Sequence, residues 1–158
     1  MATTTISKSN LVEKIWRNFY DRVKDQVTST TVANGTTFTI QHYSGANPDI
    51  DIDSKSDLPI IVVDTPIFST ELFTMTRTQL RGSIDIEVYA TDSQAADQFL
   101  SQINNAVETF KGDLAGVGIH QIDTESTDAD MVFRDSIKIH VRRITYVFVY
   151  RFDRTKSF

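Results

Sequence analysis

Residues 76–110, TRTQLRGSIDIEVYATDSQAADQFLSQINNAVETF, decide the fold because they contain the two periodicities of a mixed α and β structure. From Thr76 to Ala90 apolar and polar side chains alternate, which predicts a long β-strand with one face on the core and one in water. Gly82, in the middle of this strand, predicts a bend, a bulge or a close backbone approach. The polar side of the strand carries Arg77, Arg81, Asp85 and Glu87.

The second half of this stretch predicts an α-helix. From Ala95 to Phe110 the apolar residues recur at intervals of three and four, which places them on one face. Thr91-Asp92-Ser93 ends the strand and supplies a helix cap. Lys111-Gly112 is expected to close the helix, since glycine readily adopts the left-handed conformation found at helix C-termini.

The N-terminal part of the chain predicts a helix followed by a hairpin. The segment from Asn10 to Val27 has the apolar spacing of a second amphipathic helix, with Asn10 as its cap. Asn34-Gly35 then lies between two segments rich in β-branched residues. This pair predicts a two-residue hairpin turn in which both residues have positive φ.

Two acidic loops are predicted. Ser44 to Asp57 is rich in turn-forming and acidic residues and predicts a loop or flap. Pro59 and Pro66 after it bracket a short apolar strand. Val117 to Ile122 suggests a further strand, and Asp123 to Asp130, DTESTDAD, predicts the second acidic loop.

The last strand region, Met131 to Phe152, changes phase. Its apolar residues are odd-numbered up to Val141 and even-numbered from Ile144 onward, so we expect a bulge or bend near Arg142-Arg143. From Ile144 to Val149 neither face is adapted to water, and both should be covered. Two helices could do this with one on each face, or with both on one face and a neighbouring subunit on the other.

These elements predict an α+β fold with a mostly antiparallel sheet of about four to six strands packed with two helices. The 158 residues suit a single domain over 10–154, with a flexible N-terminus at 1–9 and a C-terminal tail at 155–158. The chain has no cysteine, which excludes disulfides and thiolate chemistry. No segment approaches the roughly 18 consecutive apolar residues that cross a bilayer, so we expect a soluble protein with no membrane partner.

Charge is segregated along the chain. Residues 1–48 carry a net charge of +2, residues 49–135 a net charge of −12, and residues 136–158 a net charge of +5. Opposite charges at separate places would suit head-to-tail association between copies of the chain, although two solvated faces would give the same pattern. The net charge of −5 argues against nonspecific capture of nucleic acid.

The strongest candidate for a metal site fails on its spacing. Asp49, Asp51 and Asp53 alternate as in a calcium loop, but Ser54 and Ile60 stand where an EF-hand needs glycine and glutamate. The alternative is an acidic surface loop, or a flap that meets basic residues at an interface. We therefore predict no metal site.

Catalytic and cofactor motifs are also absent from the sequence. The three histidines, His42, His120 and His140, fit no metal-binding spacing. Gly116-Val117-Gly118 lacks the third glycine of a dinucleotide loop, and Arg81 to Asp85 is not a nucleophile elbow. We predict no catalytic residues, no cofactor and no enzyme activity. Basic and aromatic residues alternate near the C-terminus and could bind single-stranded nucleic acid, but the aromatic residues continue a core face and should be buried.

The order of elements resembles that of the tail-terminator, or tail-completion, proteins of long-tailed bacteriophages. The segment closest to that family is RGSIDIEVYATDSQAADQFLSQINNAVETF, residues 81–110, in which an alternating strand runs through a small polar break into a sheet-covering helix. The resemblance covers roughly residues 10–152 and rests on element order, since the family has no short invariant motif. Related folds occur in tail-tube and head–tail joining proteins of the virion.

The resemblance implies a structural virion protein at the head-proximal end of the tail, assembled in the host cytoplasm. Its copies would form a hexameric ring that caps the tail tube protein, stops its polymerisation and meets the head–tail connector or neck protein. DNA would pass through an acidic lumen without specific binding. The expected axial or lumenal residues are Asp49, Asp51, Asp53 and Asp57. The expected subunit-interface residues are Arg77, Arg81, Asp85, Glu87, Arg142 and Arg143.

Overall fold

The computed structural model describes residues 10–44, 58–72, 77–134 and 137–153. The predicted flexible N-terminus, the predicted C-terminal tail and the Ser44–Asp57 loop beyond Ser44 lie outside the described residues. The two helices are α1 (Leu11–Gln26) and α2 (Ser93–Gly116). The strands of the described residues are β1 (Ser29–Thr31), β2 (Thr37–Thr39), β3 (Gln41–Ser44), β4 (Ile60–Val63), β5 (Ile67–Leu72), β6 (Arg77–Ala90), β7 (Ile119–Arg134) and β8 (Ile137–Asp153).

Six of these strands form one sheet, in the order β3-β4-β6-β8-β7. Strand β5 pairs with β6 further along the same edge that β4 occupies. All pairs are antiparallel except β3 with β4, and β1 and β2 form a separate hairpin. The prediction of an α+β fold with two helices on a mostly antiparallel sheet is confirmed.

Both helices pack on the same face of the sheet. The even-numbered side chains of β6 and β8 form one apolar core with α1 and α2, which contact each other. Phe19 of α1 and Phe99 of α2 are fully buried in this core. The indole Nε1 of Trp16 donates a hydrogen bond to the carbonyl of Val63 at 2.9 Å, which ties α1 to β4. We call this side of the sheet the covered face and the opposite side the open face.

The alternating pattern of β6 is confirmed, and Gly82 marks a close approach of side chains from the two neighbouring strands of the sheet. A Cβ atom at Gly82 would lie 2.7 Å from Cζ of Phe148 and 2.9 Å from Cδ1 of Phe68. These two aromatic rings meet edge to face, with centroids 5.8 Å apart. Glycine is therefore required here by space, and the strand continues through it with unbroken pairing to β8.

Helix α2 runs further than predicted. The proposed stop at Lys111-Gly112 is wrong, because the helix continues to Gly116. Leu114, four residues after Phe110, extends the apolar face and is buried, which favours the extra turn. The left-handed glycine follows later, at Gly118 with φ of 99°.

The C-terminal hairpin corrects two further predictions. DTESTDAD, residues 123–130, is not a loop, because it lies inside β7 and pairs with β8 along its length. The register shifts occur in β7, between His120 and Asp123 and between Thr124 and Ser126, and not near Arg142-Arg143 in β8. The change of phase in β8 has another cause: Ile139 and Val141 are buried on the open face, whereas the later even-numbered residues from Ile144 to Tyr150 are buried on the covered face.

The hairpin of β1 and β2 forms where it was predicted, with a longer turn. The NH of Gly35 donates to the carbonyl of Val32, and the NH of Val32 to the carbonyl of Thr36. Only Gly35 has positive φ, at 89°. Asn34 instead accepts a hydrogen bond from the NH of Thr36 through its side chain, so the two-residue turn was wrong in its type.

Candidate subunit interface

The open face is formed by the odd-numbered residues of β6 and β8, together with residues that follow β4. The register places Glu87 opposite Arg143, Asp85 opposite Thr145, and Ser83 opposite Val147. No helix of the described residues packs on this side, since both helices lie on the covered face. The open face is therefore the surface of the sheet on which a site can form.

Glu87 lies at the centre of a polar cluster on this face. Its side chain is buried, as are those of Ile139 and Val141 on the same face, while Arg143 is exposed. One carboxylate oxygen is 3.4 Å from a guanidinium nitrogen of Arg143, and the other accepts a hydrogen bond from the Tyr89 hydroxyl. Both partners reach Glu87 because cross-strand neighbours and residues two apart on one strand share a face.

Asp64 completes the cluster from the end of β4. Its NH donates a hydrogen bond of 2.9 Å to the carbonyl of Asp85, which holds it beside Glu87. Burial, the hydrogen bond with Glu87 and the charges of Glu87 and Asp85 together raise the pKa of Asp64 to about 7.

The neighbours of Asp64 and Glu87 determine which of these two carboxyl groups is protonated. Burial opposes ionisation of Glu87, but hydrogen bonds from Tyr89 and Asp64 and the charge of Arg143 hold its pKa below the ordinary value. Burial and the hydrogen bond to Glu87 raise the pKa of Tyr89. The proton that the two carboxyl groups share therefore belongs to Asp64, and Glu87 carries the negative charge.

A depression of about 570 Å³ crosses the open face next to this cluster. Its floor is made by Ser83, Val147 and Val149 on the two central strands, and Ile67 of β5 stands at one side with 73% of its surface exposed. The acidic residues Asp123 and Glu125 of β7 line the opposite side. The depression thus combines an aliphatic floor with an acidic rim.

The interface residues predicted from the sequence separate into different places. Arg81, Asp85, Glu87 and Arg143 lie on the open face, where Arg81 lines the depression and Asp85 accepts a 2.6 Å hydrogen bond from the Thr145 hydroxyl.

Arg142, by contrast, lies on the covered face, and its Nε is 2.7 Å from a carboxylate oxygen of Asp97 in α2. Arg77 is described by its backbone in β6, where it pairs with Asp153. The predicted lumenal residues Asp49, Asp51, Asp53 and Asp57 lie outside the described residues.

Sequence reasoning missed Asp64, Tyr89 and Ile67 as members of this surface. Two signals could have found them. Tyr89 has the same parity as Glu87 in an alternating strand, so both side chains point the same way. Asp64 directly follows four buried aliphatic residues, and Ile67 follows Pro66, so a chain reversal at the sheet edge could have been inferred there.

On this surface Glu87 and Arg143 pair across strands, and Ile67 is an exposed aliphatic side chain at its margin. Within the ranges that the structure describes, no group of three His, Asp or Glu side chains is placed to hold a metal ion. Neither described helix is long and apolar enough to cross a membrane.

Comparison with other proteins adds no family assignment. The chain matches no known protein family, and no curated protein shows significant similarity to it.

Proposed function

We propose that this chain is a tail terminator, a structural subunit whose copies close into a hexameric ring on the end of a bacteriophage tail tube. The ring stops tube growth and presents its other side to the head–tail connector. The observation that carries this proposal is the one-sided packing of the sheet. Both helices cover one face, and the other face carries a depression with the exposed Ile67 at its side, beside a set of paired charges.

One-sided packing favours assembly because exposed aliphatic side chains gain free energy when a partner removes them from water. Ile67 is such a side chain on the open face, and the half-buried Val147 lies in the depression beside it. The ion pair of Glu87 with Arg143 and the hydrogen bond of Thr145 to Asp85 leave few unsatisfied groups for a partner to desolvate. A neighbouring subunit can therefore cover this face with a small free-energy cost of desolvation.

The acidic residues of strand β7 are consistent with the passage of DNA through the ring. Its exposed carboxylates are Asp123, Glu125, Asp128 and Asp130. A surface of this sign repels the phosphate backbone, so DNA moves past without being retained. In the proposed ring, β7 lines the lumen or lies close to it.

The first experiment measures assembly. Mass measurement of the purified chain in solution and electron microscopy should reveal rings of uniform subunit number. Ile67→Glu should shift the mass toward the monomer, because it places a charge in the aliphatic surface. Val12→Glu is the matched control, since Val12 is also an exposed aliphatic residue but lies on α1. A monomer at all concentrations, with an intact fold, would contradict the proposal.

The second experiment tests capping. Tail-tube subunits that are polymerising should stop at shorter lengths when the chain is added, and the chain should be found at tube ends. Incorporation along the whole tube would instead make it a tube subunit. Tight, salt-dependent DNA binding would point to a nucleic-acid-binding module and overturn the structural role.

A further inference from the structure

Two exposed apolar features lie on opposite faces of the sheet. The first is the depression on the open face, with Ile67 at its side. The second is at the far end of the β7–β8 hairpin, where Phe133 is 66% exposed and Met131 is 44% exposed. Phe133 pairs in register with Lys138, which is also exposed. We call Met131, Phe133 and Lys138 the hairpin end.

The register places the hairpin end on the covered-face side of the sheet. Lys138 has the same parity along β8 as Arg142, whose side chain reaches Asp97 of helix α2. Phe133 lies opposite Lys138 and therefore shares its side. The depression, by contrast, has Ser83 and Val147 of the open face as its floor.

The two features cannot meet within one molecule. Lys138 and Val147 belong to the same strand and are about 30 Å apart, at roughly 3.3 Å per residue. They also point to opposite sides of the sheet. Only a second copy of the chain can bring its hairpin end to this depression.

The two features are complementary in size and charge. A phenylalanine ring gains free energy when it packs on apolar side chains such as Ile67 and Val147, and a depression of about 570 Å³ has room for it beside Met131. Lys138 carries a positive charge next to Phe133. The lining of the depression has two carboxylates, Asp123 and Glu125, against one guanidinium, Arg81, so its charge is negative on balance. Opposite charges at the margin of an apolar contact fix its orientation and register.

We propose that the hairpin end of one copy inserts Phe133 into the open-face depression of the next copy, with Lys138 against the acidic rim. This inference rests on the proposed ring and names the two surfaces that join its neighbouring subunits. The contact is head-to-tail, since each copy uses a different surface toward each neighbour. An open chain of copies leaves one hairpin end and one depression unused, and only a closed ring fills all of them.

The test uses the absence of native cysteine, which allows single thiols to be introduced without background. Phe133→Cys and Ile67→Cys are made separately, mixed and treated with a short bis-maleimide. Both positions are well exposed, so both variants should fold. A heterodimer is expected, and a chain carrying both substitutions should give a ladder of covalent oligomers that ends at the ring. Val12→Cys mixed with Phe133→Cys is the control and should give no covalent heterodimer.

The outcomes separate this inference from the proposed function. Rings in the microscope without a link between positions 67 and 133 would overturn the inference and leave the ring intact. The covalent ladder, formed by a chain that does not stop tube growth, would uphold the contact and overturn the capping role. Absence of both rings and links would overturn both.

A charge exchange tests the rim. Lys138→Glu should weaken association by about tenfold or more, because it places like charges at the margin of the contact. Glu125→Lys in the same chain should restore part of the association, since position 138 of one copy and position 125 of the next then carry opposite charges again, although Asp123 keeps its negative charge. Glu108→Lys, on the exposed side of α2, is the control for net charge and should not restore association. Failure of Glu125→Lys to restore it would contradict the proposed pairing.

Discussion

The two faces of strands β6 and β8 differ in what their side chains do. On the covered face, Ile84, Tyr146 and Phe148 are buried under both helices. On the open face, the same strands carry Glu87 paired with Arg143 and the half-buried Val147. One sheet thus stabilises the fold through one side and offers a surface for association through the other. Substitutions on the two sides should therefore change different measurements.

The largest contrast is expected between two adjacent residues of β8. Phe148→Ala removes a buried ring from the core and should lower the free energy of unfolding by about 3–5 kcal/mol. Val147→Ala, on the open face, should lower it by about 1 kcal/mol or less but weaken assembly. Urea unfolding and solution mass measure the two effects. Equal losses of stability would show that the open face is packed as tightly as the covered face.

A smaller effect is expected at Gly82, where the rings of Phe68 and Phe148 on the two neighbouring strands meet over the glycine. Gly82→Ala places a methyl group within 3 Å of Phe148 and Phe68, and should cost about 1–3 kcal/mol through overpacking. Gly112→Ala is the control, because no atom lies within 4 Å of its Cβ position in α2. That substitution should stabilise the chain by about 0.5–1 kcal/mol through helix propensity. Thermal or urea unfolding of both variants separates the steric cost of a methyl group at position 82 from the gain in helix propensity at position 112.

The next prediction concerns pH and the open face alone. The pKa of Asp64 is raised from 3.8 to about 7, so between these values the folded chain keeps a proton that the unfolded chain releases. This group therefore stabilises the fold at low pH, and its contribution is lost as pH rises through about 7. Glu87, with a lowered pKa, contributes in the opposite direction at pH below its ordinary value of 4.5.

Asp64→Asn should flatten the fall in stability between about pH 4 and about pH 7, because an amide donates a hydrogen bond to Glu87 at every pH. Urea unfolding at several pH values measures the slope. Asp25→Asn, at an exposed position of α1, is the matched control and should leave the slope in place. An unchanged slope in Asp64→Asn would mean that the shared proton is held elsewhere.

The smallest stability effects are expected at the neighbouring arginines. Arg142→Ala breaks the bond to Asp97 on the covered face and should cost about 0.5–1 kcal/mol. Arg143→Ala should cost no more than about 1 kcal/mol in the isolated chain, since its side chain is 44% exposed, but it should alter assembly. Unfolding and solution mass of both variants test this. A loss of assembly in Arg142→Ala alone would reverse the assignment of faces.

The parts of the fold that the sequence predicts well are those with one strong period. Strand β6 alternates over its whole length, and α2 keeps its apolar spacing from Ala95 onward, because each buries a single face. Strand β7 was misjudged for the opposite reason. Asp123 to Asp130 are exposed on both faces, so burial imposes no alternation on them, and pairing with β8 alone makes the segment a strand.

The candidate interface was predicted in part. The charged residues of the open face can be predicted from the alternation of β6. Asp64 lies beside them only because β4 pairs with β6, and these two strands are separated by more than ten residues in the sequence. Arg142 and Arg143 lie on opposite sides because β8 alternates without a break there, whereas the bulge expected at this pair hid that difference. Whether Arg142 or Arg143 contacts a helix depends on which face of the sheet the helices cover. The periodicity of the strands does not reveal that.

The outer edge of β7 affects how readily the chain aggregates. This edge pairs with no other strand among the described residues, and it carries two bulges and several carboxylates. Unpaired edges invite runaway stacking into fibrils, and irregular backbone with like charges discourages it. The irregular, acidic edge of β7 should therefore keep the chain from aggregating through this strand even at high protein concentration.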